Sequence, residues 1–297
     1  MKRIRAVFVF LVVLVAGLRR KRVAVQKLML RLKLNKGRHF IRGFTVITAT
    51  LLLIGLLLTT ESVLAFKPNE KGHLGITSDA VRPIERVVGG VRLRFSPQAL
   101  EEIRKANEST DDLSSGDFFR SEKHFDNEEF FAGTTRLLEL KGYIISQITS
   151  FSPNGKNART ALGGALHTIQ DFYAHTNWVE LGHTSIDTQL GRTTIPKPPI
   201  TTPTSPANDQ STLLPGLTVL TSGYFVTPPY CSAPPGKTRH GVSGLCTNGL
   251  NKDEPGRPGY PQARGLAVIA SQDFINQILD TPGVAGNDRA IRTLMGI

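Results

Sequence analysis

Ala165-Leu166-His167-Thr168-Ile169-Gln170-Asp171-Phe172-Tyr173-Ala174-His175-Thr176-Asn177-Trp178 is the stretch that decides how this chain folds. It contains no proline, and its Ala, Leu, Ile and Gln favour a helix that starts near Ala158. His167, Asp171 and His175 then stand at i, i+4 and i+8. Steps of four drift only about 40° around a helix, so the three side chains share one stripe. Each step rises roughly 6 Å and separates the outer histidines by about 12 Å, too far for one metal ion with ligand bonds of about 2 Å. The row therefore suits a polynuclear metal site bridged by Asp171 and completed by ligands from elsewhere. Ordinary core or surface histidines are the plain alternative. Against it, the chain has only seven histidines, and His73 and His124 also lie in mixed His/Asp settings. Gly163 and Gly164, one turn before the row, cost a helix about 1 kcal/mol each. That cost is tolerable where another backbone must approach closely; a frayed helix start is the alternative.

Charge divides the chain in two. Residues 1–65 carry 13 Lys/Arg and one acid, Glu61, a net +12; the remainder carries 23 basic and 23 acidic residues. The basic surplus is thus a property of the leader. No surplus remains in the rest to displace counterions from a phosphate backbone, so nucleic acid is not an expected partner. The leader has the form of an export signal: the apolar run 43–59 follows Lys33, Lys36, Arg38 and Arg42 and precedes Ser62-Val63-Leu64-Ala65. The run is short for a spanning helix of about 20 residues. Secretion or another extracytoplasmic location is expected, with a membrane anchor at residues 43–59 as the alternative. A second apolar run, 6–18, suggests that translation starts at Met29; a membrane hairpin with Arg19-Arg20-Lys21-Arg22 on the cytoplasmic side is the other reading.

Residues 66–297 fit one domain, mostly helical. Ser96-Pro97 supplies an N-cap and a first-turn proline for a helix through Lys105, with Asn107-Glu108-Ser109-Thr110-Asp111-Asp112 as the polar turn that ends it. Residues 124–150 show apolar positions at helical spacing, and Ser152-Pro153-Asn154-Gly155 breaks the chain before the His/Asp helix. A Pro/Gly-rich irregular region spans about 190–260. An amphipathic helix from Pro261 to about Asp280 follows. Cys231 and Cys246 lie in the irregular region and form a plausible disulfide in an exported protein, two free thiols being the alternative. Asn107-Glu108-Ser109 is an N-glycosylation sequon, relevant in a eukaryotic host.

The strings His73-Leu74-Gly75-Ile76-Thr77, His124-Phe125-Asp126-Asn127-Glu128, Leu166 to Gly182, Thr221-Ser222-Gly223-Tyr224-Phe225 and Gly249-Leu250-Asn251-Lys252-Asp253 resemble the Het-C heterokaryon-incompatibility family. They also resemble the N-terminal region of related von Willebrand factor A domain-containing proteins. In those relatives a segment like 287–297 leads into the A domain, so the chain is expected to be either a single-domain relative or a truncated product. More distantly, the His-x3-Asp pattern is similar to the zinc-dependent phospholipase C and single-strand nuclease superfamily. That resemblance implies an all-α, multi-helix domain of phospholipase C type with long Pro/Gly-rich loops, converging on two or three zinc ions. It implies His73, His124, His167, Asp171 and His175 as metal ligands and Asp111 or Asp112 as the catalytic carboxylate.

Two departures stand out. A cut after Ala65 leaves Phe66 where the phospholipases have a metal-binding Trp. Their downstream His-x3-Glu pair is matched only loosely, by His183 with Asp187 or by Glu180 with His183. Clustered zinc would activate a water and neutralise a phosphoryl transition state. The expected function is therefore phosphodiester hydrolysis, on phospholipid at a membrane surface or on another exported phosphodiester. The competing expectation is a non-catalytic, metal-stabilised recognition or adhesion module. For either, the five ligands should converge, with imidazole nitrogens about 4–7 Å apart.

Overall fold

A computed structural model describes residues 70–196, 220–225, 233–234, 237–241 and 249–297. The leader, the two cysteines and most of the Pro-rich stretch lie outside the described residues, and with them the expectations for export, disulfide and start site. Seven α-helices and one small hairpin are present among the described residues: α1 (His73–Val81), β1 (Glu85–Val88), β2 (Val91–Arg94), α2 (Pro97–Ser109), α3 (Ser121–His124), α4 (Phe130–Thr149), α5 (Gly155–His175), α6 (Tyr260–Leu279) and α7 (Asp288–Met295). The helical expectation is met. None of these helices is long and apolar enough to cross a membrane.

The His/Asp helix, α5, is the axis of the fold. Asn154 caps it, its Oδ1 accepting from Asn157 N at 3.0 Å. From Ala161 to its end at His175 every residue is buried. Helices α2, α4 and α6 pack along it, α1 bridges α2 and α6, and α7 closes against α4 and α5. Gly163 explains how α2 comes so close. A Cβ on Gly163 would lie 2.4 Å from Ile103 O and 2.5 Å from Ala106 Cβ, so only hydrogen fits there. Phe125, Phe130, Phe172 and Tyr173 fill the side facing α4, and the Tyr173 hydroxyl accepts from Asp187 N at 3.0 Å.

Helix α2 begins as Ser96-Pro97 dictates, Ser96 Oγ accepting from Ala99 N at 3.1 Å. It runs to Ser109, one turn beyond the expected end, and so carries Asn107 inward as a fully buried residue. The hairpin was not expected. Gly89 and Gly90, at φ +56° and +80°, supply the left-handed pair of a two-residue turn, and Glu85 on β1 pairs with Arg92 and Arg94 on β2 at 2.9 and 2.8 Å.

The expected helix over 124–150 is divided. After α3, Phe125, Asn127 and Glu128 take left-handed φ values of 52°, 56° and 59°, each costing of order 1 kcal/mol or more for a non-glycine residue. Buried Glu128 holds the turn by accepting from Thr221 Oγ1 at 2.6 Å and pairing with Lys237. Asn127 Oδ1 accepts from Phe225 N at 3.0 Å.

The irregular region is built into this end of the molecule. Thr176 bridges to Ser222, Gly223 N donates to His175 O, and Lys252 N donates to Ala174 O, both at 3.0 Å. Fully buried Lys252 spends its ammonium on Thr176 O and Leu250 O, both at 2.7 Å, and on Glu180 at 2.9 Å. Segments 220–225, 237–241 and 249–253 thus strap the C-terminal end of α5.

Candidate metal centre

The histidines enter the centre from three helices. His73 opens α1, His124 ends α3, and His167 and His175 lie two turns apart on α5. Asp171, between them, points at three imidazoles. Its Oδ1 lies 3.2 Å from His73 Nε2; its Oδ2 lies 2.8 Å from His124 Nδ1 and 3.0 Å from His167 Nε2. Asp111, just past α2, completes the group at 3.7 Å from His73 Nε2, 3.5 Å from His167 Nε2 and 3.8 Å from His124 Nδ1. The His73 and His167 rings stack, with centroids 4.1 Å apart and planes at 24°.

His175 belongs to a second group. Its Nδ1 lies 3.0 Å from Asp126 Oδ1 and its Nε2 3.2 Å from Asp253 Oδ1; His240 Nε2 lies 3.6 Å from Asp126 Oδ1. Three buried triads are metal-capable: His73/Asp111/His167, His124/His167/Asp171 and Asp126/His175/His240, each with ligand atoms within 4.8 Å of one another. The first two share His167. Four expected ligands therefore meet in one group, and the fifth, His175, heads a separate one beside it.

Buried charge sets the protonation states. Asp111 is raised to about 7, chiefly by burial, against the pull of His73 and His124. Burial also lowers His124, but the hydrogen bond and charge of Asp171 outweigh it and hold this imidazole at about 8. Burial, opposed by the charge of Asp171 and helped by that of His73, lowers His167 to about 3. Burial acts against the ionised form of Asp171, yet the charges of His167, His175 and His73 hold it well below the usual carboxylate range. His175 is raised well above its ordinary value, as the charges of Asp126, Asp171 and Asp253 overcome burial.

The donor set fits dications. Both oxygens of Asp111 and Nε2 of His240 are buried and make no hydrogen bond among the described residues, a cost of roughly 1–3 kcal/mol for each such group. Carboxylate oxygen and imidazole nitrogen are donor types that divalent metals take. The second nitrogen of two of the histidines rests on a backbone carbonyl: His124 Nε2 on Asp117 O at 3.3 Å and His240 Nδ1 on Gly241 O; His175 Nδ1, which faces Asp126, also meets His124 O at 2.9 Å. Such outer partners orient metal-ligating imidazoles.

Three expected site residues stand apart. Asp112, three residues past the end of α2, is exposed where Asp111 is buried, and its Oδ1 accepts from Ser114 N at 2.8 Å. Glu180 is paired with Lys252. His183 is exposed and stacks on Trp178 at 3.9 Å between centroids. The loose match at 180–187 therefore supplies no ligand to these groups. Asp126, His240 and Asp253 were not expected. Asp126 and Asp253 sit inside the strings that carry the family resemblance, and His240 was one of few histidines left to assign.

The model of the VWA7 N-terminal domain matches residues 87–287. The chain is similar to von Willebrand factor A domain-containing protein 7 of Rattus norvegicus, 33% identical over 213 residues, covering 65% of this chain and 23% of that protein. The protein of the same description from Homo sapiens is 34% identical over 196 residues, covering 58% of this chain and 21% of the relative; that from Mus musculus is 31% identical over 223, covering 67% and 23%. The chain thus spans less than a quarter of the length of these relatives. No solved structure matches it. The resemblance to the N-terminal region of von Willebrand factor A domain-containing proteins is borne out, and with the matched span exceeding half of its length, the chain belongs to the VWA7 N-terminal domain family.

Proposed function

We propose that this domain is a zinc-dependent phosphodiester hydrolase acting outside the cytoplasm, with phospholipid at a membrane surface as its first substrate class. The observation that carries this reading is that two carboxylates, Asp171 and Asp111, each face the imidazoles of His73, His124 and His167. Structural zinc sites usually hold one ion in a cysteine-containing set; adjacent sites with common ligands are the arrangement of two-metal hydrolases. Bound there, zinc ions would supply an activated water and offset charge on a phosphoryl group. His73, His124, His167 and Asp171 would hold them. Asp111, whose two oxygens make no hydrogen bond, would bridge or orient the water. The basic and apolar leader supports the location, an anchor at residues 43–59 being the alternative form of it.

Burial favours a second reading. Every member of the triads is less than a tenth exposed, as in a closed, metal-stabilised recognition module of the kind the Het-C resemblance implies, where ligand binding energy is folding energy. Metal analysis of the purified full chain, followed by hydrolysis of choline phospholipid vesicles, separates the two. The hydrolase predicts two or three zinc ions per chain and release of the phosphorylated headgroup that a chelator abolishes. Bound zinc without turnover of this or another phosphodiester supports the module. A chain that takes up no dication sinks both.

A further inference from the structure

Behind His124 and His240 stand backbone carbonyls. The second nitrogens of His73 and His167 rest instead on side-chain amides: His73 Nδ1 on Gln170 Oε1 at 2.7 Å and His167 Nδ1 on Asn107 Oδ1 at 3.2 Å. The amides are joined to each other. Asn107 Nδ2 donates to Gln170 Oε1 at 3.2 Å and to Thr77 Oγ1 at 3.0 Å. Gln170 Nε2 donates to Thr77 Oγ1 at 3.1 Å and Ser271 Oγ at 3.4 Å. Asn107, Gln170, Thr77 and Ser271 are all fully buried.

We infer that Asn107 and Gln170 are positioning residues, which hold His73 and His167 as Nδ1–H tautomers and so turn both Nε2 lone pairs toward one dication at Asp111. The inference rests on the metal reading above. Hydrogen-bond arithmetic supports it. As placed, both hydrogens of each amide meet an acceptor, and Gln170 Oε1 takes two donors. Flipping either amide alone sets NH2 against NH2 or oxygen against oxygen. Flipping both reverses the tautomers, so that the Nε2–H groups donate to the carboxylates and leave no lone pair for a cation. The stacked rings keep the two Nε2 atoms on one side, 3.7 and 3.5 Å from Asp111. A carbonyl accepting from the far nitrogen also raises the basicity of the near one. Asn107 is therefore no glycan carrier in the folded chain, although it begins a sequon.

Zinc competition with a chelator, and long-range nitrogen–proton spectra of the histidines, test this on the full chain. In zinc-loaded wild type, His73 and His167 should carry their proton on Nδ1. Gln170→Met and Asn107→Leu keep the shape and remove the acceptor; each should weaken zinc binding about 10–100-fold with the helical circular dichroism retained. Gln170→Glu still accepts from His73 and can accept from the Thr77 and Ser271 hydroxyls, so it should restore affinity to within a few-fold. Protons on Nε2, wild-type affinity in Gln170→Met, or a Gln170→Glu chain as weak as Gln170→Met would each overturn the inference. If Gln170→Met does not fold, the wild-type tautomers decide alone. Zinc binding by wild type together with any of these results leaves the metal reading standing; a wild type that binds no zinc removes both.

Discussion

Asp171 concentrates the chemistry of the centre because one carboxylate faces three imidazoles at 2.8–3.2 Å. Asp171→Asn keeps the volume but removes the negative charge that offsets clustered dications. The variant should lose at least one bound zinc and any hydrolytic activity while keeping its helical signal, as metal analysis with circular dichroism would show; unchanged metal content would remove Asp171 from the site. His240 offers a complementary test. Its Nε2 faces only the second group, so His240→Ala should lower the zinc count by about one and leave the His73/Asp111/His167 ion in place. Losing every ion would mean that the two groups assemble as one unit. At this scale the sequence was most legible where ligands share a helix, since a four-residue period is a statement about one stripe. It was least legible at Asp111 against Asp112. Adjacent carboxylates at a helix end point in different directions, and only the packing of α2 against α5 sends one inward.

Elements fit here through small residues at close crossings. With Ile103 O 2.4 Å from the place a Cβ would take, Gly163→Ala must push α2 away from α5. A destabilisation of about 1–3 kcal/mol is expected, read as a lower urea midpoint with an unchanged slope, and zinc affinity should fall with it because α2 carries Asn107 and leads to Asp111. A midpoint equal to wild type would mean that α2 yields without strain. The glycine pair was readable in advance as a site of close approach, though not which helix approaches. The hairpin was missed although Val88-Gly89-Gly90-Val91 is a turn signal, because two four-residue strands carry too little alternation to stand out beside long helices. The division of the 124–150 segment left no mark in its apolar spacing. It depends on Glu128 finding Thr221 and Lys237 some ninety or more residues away.

Taken as a whole, the molecule buries an unusual density of ionisable groups at one end of α5, so its stability should depend on both pH and metal. In the chelated protein His124 is held at about 8, above its ordinary 6.5, and Asp111 at about 7, above its ordinary 3.8. A group whose folded value is raised gives stability that is lost as pH rises through that value. Metal-free protein should therefore melt at a lower temperature at pH 8.5 than at pH 6.5. Zinc requires the deprotonated ligands and releases their protons on binding, so the zinc-loaded chain should show the opposite trend across this window. His167, lowered to about 3, acts below it, where stability falls as pH drops. Parallel melting curves with chelator and with zinc check this; the same slope in both would mean that zinc does not engage these groups.

The sequence by itself determined the helical class, the central helix with its His/Asp stripe, the cap at Ser96, and the family to which the chain belongs. Those are consequences of short-range periodicity and local hydrogen bonding, which a chain displays before it folds. Only the tertiary structure decided that His175 leaves its row to join Asp126, His240 and Asp253, and that Asn107 serves the centre from inside a glycosylation sequon. Those partners are separated by tens of residues and lie on segments without regular structure. They are assembled by long-range hydrogen bonds, such as those of buried Lys252 to the end of α5, and no local pattern encodes them.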